Sequence, residues 1–411
     1  MLFRSGSALE KGAAAVITEK EIGDLPVPYI LADSTLTALQ NISRAILLNA
    51  KIPVVTVGGS VGKTSTKEMI ASVLSQKFNV LKTQANYNNE LGLPLTIFEL
   101  EKEHTAAVLE LGIDDFGQMD VLAGIALPDI CVLTNIGDCH LENLGDRDGV
   151  LKAKTEMFDH MKPGGRAVLN GDDEKLKTVG PVRGKRPLFF GFGLENDVRA
   201  VITEKDEFSS SIEIASPAGT IRTKVNMPGA HMVMNAMAAA AVGCALGLDA
   251  EMIARGIEEY RSIDGRFMIN RTEDHTVVDD CYNANPMSMK ASLASLSEMK
   301  GRKVAILGDM GDLAEAAGRF HYEVGACAGQ LDIDLICCVG SLSREIGRGA
   351  EEAYAQRNIS GREVRYYAAK EDLIADLPMI LKKDDIILVK ASHFMEFGEI
   401  VEKLIKKKTA E

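Results

Sequence analysis

Short apolar runs rich in β-branched residues alternate with longer amphipathic stretches along most of the chain. In the first half these runs begin near residues 53 (PVVTV), 106 (AAVLEL), 130 (ICVLTNI) and 167 (AVLN). Continuous apolar runs of this length are typical of strands buried on both faces, and the stretches between most of them have helical periodicity. The pattern therefore predicts an α/β fold with a largely parallel sheet covered by helices.

A second series of such runs follows an alanine-rich helical stretch, NAMAAAAVGCALG. Its members begin near residues 276 (TVVDD), 303 (KVAILGDM), 334 (DLICCVG), 362 (REVRYYA) and 385 (DIILVK). Because the alternation restarts there, we place a domain boundary near residue 263, between a central domain (51–263) and a C-terminal domain (264–411). Residues 196–225 alternate with period two between turn residues, which predicts an antiparallel insert or edge.

A glycine-rich turn lies between a predicted strand and a predicted helix in VVTVGGSVGKTSTKEMI, residues 54–70. The usual phosphate-binding loop reads G-x-x-x-x-G-K-[ST], and counting back from Gly62 puts Val57 where its first glycine belongs. The shorter G-x-x-G-K-T pattern still supplies backbone N–H groups, a helix N-terminus, Lys63 for the phosphates and the Thr64 hydroxyl for magnesium. A turn that carries Gly-Lys-Thr by chance is the alternative, and the flanking strand and helix favour phosphate binding.

Composition and charge exclude several classes of protein. A length of 411 residues suggests two or three domains, and a net charge of −13 argues against nucleic acid as the main partner. We find no apolar run long enough for a membrane span, and the N-terminal stretch is a poor signal peptide. Seven cysteines without a C-x-x-C pair argue against zinc and disulfide frameworks, so we expect a cytoplasmic protein.

The stretch GSVGKTST, residues 59–66, resembles the ATP loop of the Mur ligases, the amide-forming enzymes of peptidoglycan precursor synthesis. Further stretches, in the same order, resemble the branch called MurF, which joins D-alanyl-D-alanine to UDP-N-acetylmuramoyl-tripeptide. These stretches are NYNNELGLPLT (86–96), VLELGIDDFGQMDVL (108–122), TNIGDCHLENLG (134–145), LKAKTEMF (151–158), VLNGDD (168–173), DDCYNANPMSM (279–289) and ILGDMGDL (306–313). YNANP and LGDMGDL favour this branch over its siblings.

The resemblance extends from residue 8 to the end and implies a three-part architecture. It implies a P-loop-type ATPase domain in the centre, a Rossmann-like C-terminal domain, and a remnant of a UDP-substrate-binding α/β domain in residues 1–50. The chain opens inside that first domain, and on the order of 70 residues of a domain of typical size are missing from the pattern. We therefore expect an incomplete uracil pocket and weak affinity for the UDP substrate.

The reaction implied by the resemblance activates a carboxylate with ATP as an acyl phosphate, which an amine then attacks. It assigns ATP binding to a run of loop residues: Gly59, Ser60, Val61, Gly62, Lys63, Thr64 and Ser65. The expected partners are the two small-molecule substrates, UDP-N-acetylmuramoyl-tripeptide and D-alanyl-D-alanine. Nucleic acid and membrane are not expected as partners, and we expect a monomer.

Four residues are the expected ligands of two Mg²⁺ ions. By themselves, Glu110 at a strand end, His140 in a loop and Lys154 beside Lys152 read as surface or hydrogen-bonded groups. The resemblance instead makes Glu110 and Thr64 ligands of one Mg²⁺ and His140 a ligand of the second. It also implies that Lys154, and not Lys152, reacts with CO₂ to give a carbamate that holds the second ion. Such a reaction requires a neutral amine, which burial favours.

The resemblance assigns three residues to the nucleotide. Asn235 matches an asparagine that contacts adenine, Arg266 an arginine that reaches ATP from the C-terminal domain, and Asp280 an acidic residue near the ribose. A helix cap, a linker salt bridge and a turn are the respective structural alternatives. The family often has a second asparagine at the place of Met232, so one adenine contact is expected to differ here.

Substrate contacts are expected from three further regions. Asn88 and Asn89 precede ELGLP, where the family binds the diphosphate of its substrate, and Asn283 lies in YNANP. Lys390 and Ser392 follow the last strand in VKASH, which stands in the place of the family's VKGSR. His393 replaces the arginine of that motif, so the contact to the incoming dipeptide is expected to differ at this position.

Two other functions remain open from the sequence. One is another ligase of the superfamily, such as the tripeptide-forming MurE-like sibling, a folylpolyglutamate synthase-like enzyme or a cyanophycin synthetase-like enzyme. The DDCYNANP stretch argues against these, because the siblings carry other residues there. The other is a non-catalytic nucleotide-binding paralogue, which would have no need of a second metal site.

Overall fold

The computed structural model describes residues 2–23 and 25–405, so residues 1, 24 and 406–411 of the predicted domains lie outside it. Its strands are β1 Val16–Thr18, β2 Tyr29–Leu31, β3 Val54–Gly58, β4 Val80–Lys82, β5 Ala106–Glu110, β6 Ile130–Leu133, β7 Arg166–Asn170, β8 Leu188–Phe190, β9 Arg199–Lys205, β10 Ser210–Ser216, β11 Gly219–Val225, β12 Met268–Arg271, β13 His275–Asp279, β14 Lys303–Gly308, β15 Leu335–Val339, β16 Glu363–Tyr367 and β17 Asp385–Lys390.

The helices lie mostly between consecutive strands. They are α1 Leu2–Glu10, α2 Thr35–Ala50, α3 Lys63–Leu74, α4 Gly92–Phe98, α5 Gln118–Ala126, α6 Leu141–Leu144, α7 Arg147–Thr155, α8 Ala230–Ala245, α9 Ala250–Glu259, α10 Pro286–Ser297, α11 Ala317–Ala328, α12 Ser343–Gln356, α13 Lys370–Ile380 and α14 Gly398–Ile405. Short 3₁₀ helices occupy Glu156–His160, Leu176–Thr178, Ala314–Ala316 and His393–Met395. None of the helices in residues 2–23 and 25–405 has the length and hydropathy to cross a membrane.

The first large sheet is parallel throughout and has the order β4-β5-β3-β6-β7-β8. Its inner strands are the four apolar runs of the first series, and every residue of β3, β5 and β6 is buried. Neighbouring residues of β3 face opposite cores: Val54 packs with the helices on one face, and Val55 with those on the other. Burial on both faces explains why these strands lack polar alternation.

The second large sheet has the order β12-β13-β17-β14-β15-β16. Five of its strands are parallel and correspond to the second series of apolar runs, while β12 pairs antiparallel with β13 at one edge. One core cluster continues from the α3–α8 face of the first sheet to side chains of this second sheet, including Leu307 and Cys338. The expected α/β fold is therefore confirmed, whereas the exact domain limits stay a prediction.

The predicted antiparallel insert is a separate three-stranded sheet, β9 to β11, with buried and exposed residues alternating along β10 and β11. The turn between β9 and β10 reaches the second half of the chain. Lys205 pairs there with Glu298 at 2.5 Å, and the guanidinium of Arg271 lies 4.0 Å from the centre of the Phe208 ring. The insert therefore bridges the two halves of the molecule.

Candidate active site

The glycine-rich loop joins the middle strand of the first sheet to α3. Gly59 and Gly62 have φ angles of +139° and +77°, and a Cβ atom on Gly59 would collide with the Thr134 hydroxyl. The segment just after β6, the strand beside β3 in the sheet, shapes the loop, because Asn135 accepts hydrogen bonds from the Ser60 N–H at 3.0 Å and from the Val61 N–H at 2.9 Å. The loop thus runs into the positive end of α3, which suits a phosphate group.

A cavity of about 500 Å³ opens beside this loop, between the two large sheets. Predicted site residues from both halves of the chain line it: Ser60, Val61, Gly62, Lys63, Thr64, Ser65, Asn88, Glu110, Asn235, Arg266, Asp280, Asn283 and Lys390. Sequence separations of up to 330 residues are closed at this one place. A cavity of this volume is in the range of small-molecule sites.

A second cavity, of about 640 Å³, adjoins the first. Asn89 and His140 line it, together with Phe116 and residues 112–114. Lys63 and Asn88 line both cavities and therefore mark their common boundary. The Lys63 ammonium donates a hydrogen bond to the Gly59 carbonyl at 3.0 Å. Groups bound in the two cavities would approach one another at this lysine.

Glu110 ends β5 at the edge of the first cavity and is 2% exposed. Its Oε1 atom accepts a hydrogen bond from Asn88 at 2.9 Å, and its N–H donates to the Thr83 hydroxyl. Its Oε2 atom is buried without a hydrogen-bond partner among the described residues. An unpaired buried carboxylate oxygen is costly, and such an oxygen suits Mg²⁺, so the residues present fit that ion.

A metal site built from protein side chains alone is not present in the described part of the chain, where no three acidic, histidine or cysteine side chains cluster. The Thr64 hydroxyl lines the same cavity as Glu110 and accepts a hydrogen bond from Arg266 at 3.3 Å. A Mg²⁺ ion here would therefore need oxygens from a bound ligand to complete its shell, as is usual at nucleotide sites.

Lys154 and His140 lie in one electrostatic cluster with Lys63. Lys154 is 2% exposed, and burial, followed by the charge of Lys63, lowers its pKa to about 8. Burial, followed by the charges of Lys154 and Lys63, lowers the pKa of His140. Both shifts favour the neutral forms, which are the forms that bind metal or CO₂.

Lys152, on the same helix, is exposed, and its ammonium lies 5.7 Å from the centre of the Phe116 ring. The two lysines therefore point to different sides of α7, as their spacing of two residues predicts. Only Lys154 belongs to the cluster with His140 and Lys63.

Residues of the second half form a network on the opposite wall of the first cavity. Asp280 accepts hydrogen bonds from the Phe267 N–H at 3.1 Å, from Ser292 at 2.6 Å and from the Lys390 ammonium at 2.6 Å. Lys390 is buried and also donates to the carbonyl of Asn283 at 3.0 Å. The two charges are thus paired with each other inside the protein wall.

Several predicted site residues have their own local partners. Asn235 accepts from the Thr66 hydroxyl at 3.0 Å and donates to the Met232 sulfur at 3.5 Å. Asn89 accepts from two backbone N–H groups at the start of α4. Ser392 accepts from the Gly311 N–H and donates to the Ala284 carbonyl. Gly59, Lys154 and Ser392 line neither cavity, while Asn89 and His140 line only the second.

Sequence reasoning gave no role to an aromatic and apolar wall of the first cavity. This wall comprises Phe190, Phe192, His231, Phe267, Tyr282 and Met287. The residues come from four separate segments, so no single periodic pattern in the sequence predicts them. Tyr282 lies within the YNANP stretch, which was the one available pointer.

Two family models match the chain: the Mur ligase middle domain over residues 57–243, and the Mur ligase, glutamate ligase domain, over residues 265–393. A Bacillus subtilis protein named UDP-N-acetylmuramoyl-tripeptide--D-alanyl-D-alanine ligase is 35% identical over 404 residues, which are 97% of this chain and 86% of the relative. The Escherichia coli protein of the same name is 31% identical, over 96% of this chain and 85% of the relative.

Solved structures agree with these matches. MurF from Acinetobacter baumannii superposes with a TM-score of 0.89 at 30% identity, covering 98% of this chain and 87% of that one. MurF ligase from Thermotoga maritima in complex with ADP gives 0.86 at 29% identity, covering 98% and 91%. Folylpolyglutamate synthase from Mycobacterium tuberculosis gives 0.69 at 16% identity over 91% of this chain and 95% of that one, which shows a shared fold alone. The chain therefore belongs to the Mur ligase family, within its MurF branch.

Proposed function

We propose that this chain is an ATP-dependent ligase that joins D-alanyl-D-alanine to UDP-N-acetylmuramoyl-tripeptide in peptidoglycan precursor synthesis. The observation that carries the proposal is the meeting of two cavities at Lys63, one beside the glycine-rich loop and one beside His140. A nucleotide in the first and a carboxylate substrate in the second would place the two reacting groups at one lysine. The names of the relatives support the same reaction.

The reaction would consist of two successive substitutions. The carboxylate of the UDP-tripeptide attacks the γ-phosphorus of ATP, which gives an acyl phosphate and ADP. The amine of D-alanyl-D-alanine then attacks the acyl carbon, and phosphate leaves as the amide forms and the amine loses a proton. Lys63 and the N-terminus of α3 would stabilise the charge that develops on the transferred phosphoryl group, and the position of Lys63 at both cavities supports this role.

Two Mg²⁺ ions would supply further charge neutralisation to the phosphate groups. Glu110 and Thr64 would hold the first, and the buried, unpartnered Oε2 atom of Glu110 supports this assignment. His140 would hold the second with Lys154. A lowered His140 pKa supports it, because a metal ligand needs a free imidazole lone pair.

Lys154 would carry the carbamate. The protonated amine first loses one proton, and the neutral amine then forms an N–C bond to CO₂ and releases a second proton. A buried cation thereby becomes an anion. As a cation, Lys154 repels Lys63, and it lowers the pKa of His140. As an anion it would attract Lys63 and a metal ion held by His140. This change of sign supports the carbamate, because it turns an unfavourable buried charge into a paired one.

The remaining predicted contacts belong to the same proposal. Adenosine would lie against Asn235 and Asp280, with the loop residues 59–65 and Arg266 on the phosphates. Asn88 and Asn89 would contact the UDP-sugar peptide. Asn283, Lys390 and Ser392 would help to bind the incoming dipeptide. Lys390 and Ser392 would do so indirectly, because their hydrogen bonds hold the cavity wall in place.

The division into parts 1–50, 51–263 and 264–411 is also proposed, as are a monomeric state and a cytoplasmic location. Two observations support the division at residue 263. One family model ends at residue 243 and the other begins at residue 265, and along the chain the first large sheet precedes residue 263 while the second follows it. All seven cysteines are free thiols, which supports a reducing compartment.

The test is a ligase assay on this chain with ATP, Mg²⁺, the UDP-tripeptide and D-alanyl-D-alanine. Phosphate release and the mass of the UDP-pentapeptide are followed together, and each substrate is omitted in turn. We expect phosphate release to match product formation and to require both substrates. The proposal fails if ATP is hydrolysed without an amide product. It also fails if folate with glutamate, or UDP-dipeptide with a diamino acid, is the pair that reacts.

A further inference from the structure

The turn that carries Arg266, residues 264–267, is hydrogen-bonded to the end of β13 and to the residues that follow it. Gly265 donates its N–H to the Asp279 carboxylate at 3.0 Å and accepts from the Tyr282 N–H at 3.1 Å. Gly265 has a φ of +72°, and a Cβ atom there would lie 3.0 Å from the Cβ of Tyr282. This close approach brings the backbone of the turn against Tyr282, so both side chains start from a fixed base.

Arg266 extends from this turn across the first cavity to the glycine-rich loop. One of its terminal nitrogens, Nη2, donates to the Thr64 hydroxyl at 3.3 Å. Its Nε atom is buried and has no hydrogen-bond partner among the described residues. A buried N–H without a partner is unfavourable, and the long contact to Thr64 is the one side-chain hydrogen bond of this guanidinium among the described residues, so its plane is only weakly fixed by hydrogen bonds.

The face of the guanidinium has a partner instead. Its central carbon lies 4.0 Å from the centre of the Tyr282 ring, which is close for an arginine on an aromatic face. The Tyr282 ring in turn contacts His393, with ring centres 5.6 Å apart and an angle of 42° between the planes. Tyr282 therefore lies between Arg266, on the turn 264–267, and His393, which follows the last strand. It also lines the first cavity.

We propose that Tyr282 is a positioning residue that holds Arg266 beside Thr64, where the phosphates of ATP would bind. The inference rests on the proposed function, since it assigns to Tyr282 the orientation of a group that would act on the nucleotide. Without the ring, the guanidinium keeps its charge but loses the surface that fixes its plane. The ring, and not the phenol hydroxyl, carries this role.

The experiment measures ATP affinity by calorimetry, together with kcat and KM for ATP, in single and double variants. Tyr282→Leu is expected to weaken ATP affinity and kcat/KM by about 2- to 30-fold, the range of a cation–π contact from exposed to desolvated. Tyr282→Phe is expected to retain most of both. In an Arg266→Ala background, Tyr282→Leu should add almost nothing, because the two side chains act as one unit.

Tyr322→Leu is the matched control, because Tyr322 also stacks with an arginine, Arg348 at 5.0 Å, and lines neither cavity. It should leave ATP affinity unchanged. The inference is overturned if Tyr282→Phe loses as much as Tyr282→Leu, or if the losses from Tyr282→Leu and Arg266→Ala add in full. Calorimetry measures ATP binding and needs no ligase activity. A parent protein that binds ATP but forms no amide would therefore refute the proposed function, while the comparison of the Tyr282 variants could still be made.

Discussion

Replacing Lys154 separates the proposed carbamate from an ordinary helix lysine more sharply than any other change. Burial and the charge of Lys63 lower the pKa of Lys154 from an ordinary 10.5 to about 8. At about 1.4 kcal/mol for each tenfold change, the protein disfavours the charged amine by roughly 3 kcal/mol. At pH 7 about a tenth of the amine is then neutral, roughly 300-fold more than at an unperturbed lysine.

Three variants use this difference: Lys154→Ala, Lys154→Met and Lys152→Ala. Lys154→Ala should lose nearly all ligase activity and still bind ATP, because Lys63 and Thr64 are unchanged. Acetate or formate should restore part of its rate by placing a carboxylate in the vacated space. Lys152→Ala should remain near the parent rate, since an exposed cation–π contact contributes about 0.5–1 kcal/mol.

The assay compares the ligase rates of the parent and both alanine variants at fixed pH, with and without added bicarbonate and short-chain acids. At constant dissolved CO₂, the parent rate should rise with pH through about 8, because the neutral amine accumulates and because carbamate formation releases a proton. A fully active Lys154→Ala, or loss of activity in Lys152→Ala alone, would refute the reasoning and return Lys154 to a structural role.

Lys154→Met tests the burial itself. The folded-state pKa lies below the unfolded value, so the unfolded chain binds more protons between about pH 8 and 10.5. The penalty for the charged lysine is therefore complete below about pH 8 and fades as the pH rises. In CO₂-free buffer at pH 7, Lys154→Met should raise the free energy of unfolding by up to about 3 kcal/mol, and the gain should disappear above about pH 10.5. Urea unfolding at the two pH values measures it.

The remaining predictions concern three other residues. Lys63→Ala should abolish ATP-dependent turnover, because the boundary between the cavities loses its charge; near-normal turnover in the phosphate-release assay would show that the loop is misassigned. Glu110→Gln should raise the Mg²⁺ concentration needed for half-maximal rate and leave the fold intact by circular dichroism, whereas an unchanged Mg²⁺ requirement would count against the metal site. His321 accepts from the Met310 N–H at 2.8 Å through one ring nitrogen, its other ring nitrogen bonds the Ala317 carbonyl, and burial lowers its pKa. The free energy of unfolding should therefore fall as the pH drops below about 6.5, the ordinary pKa of histidine. His321→Ala should remove that part of the pH dependence, which urea titrations at several pH values measure.

The sequence predicted the elements whose signals are local. The run Val54–Gly58, the glycines and the Lys63–Leu74 helix follow one another directly, so the phosphate loop could be read without tertiary information. Strands β4 and β8 were not predicted, because three residues at a sheet edge show no period. The pairing of β12 with β13 likewise depends on the sheet that they join.

The site was only partly accessible from the sequence, for a related reason. Spacing along α7 shows that Lys152 and Lys154 point apart, but not which of them faces the interior. Burial of Lys154 follows from helices and strands that pack around it in three dimensions. The stack of Arg266 on Tyr282 also depends on a turn folding back onto the end of a strand, which no linear pattern records.

The most direct test of the central claim follows an oxygen atom. The reacting carboxylate of the UDP-tripeptide is labelled with ¹⁸O on both oxygens, and the phosphate released during ligation is analysed by mass spectrometry. Attack of the carboxylate on ATP, followed by loss of phosphate from the acyl carbon, must move one labelled oxygen into each phosphate and leave the other in the amide. We predict that transfer in every turnover. Phosphate that carries no label would contradict an acyl-phosphate ligase at this site.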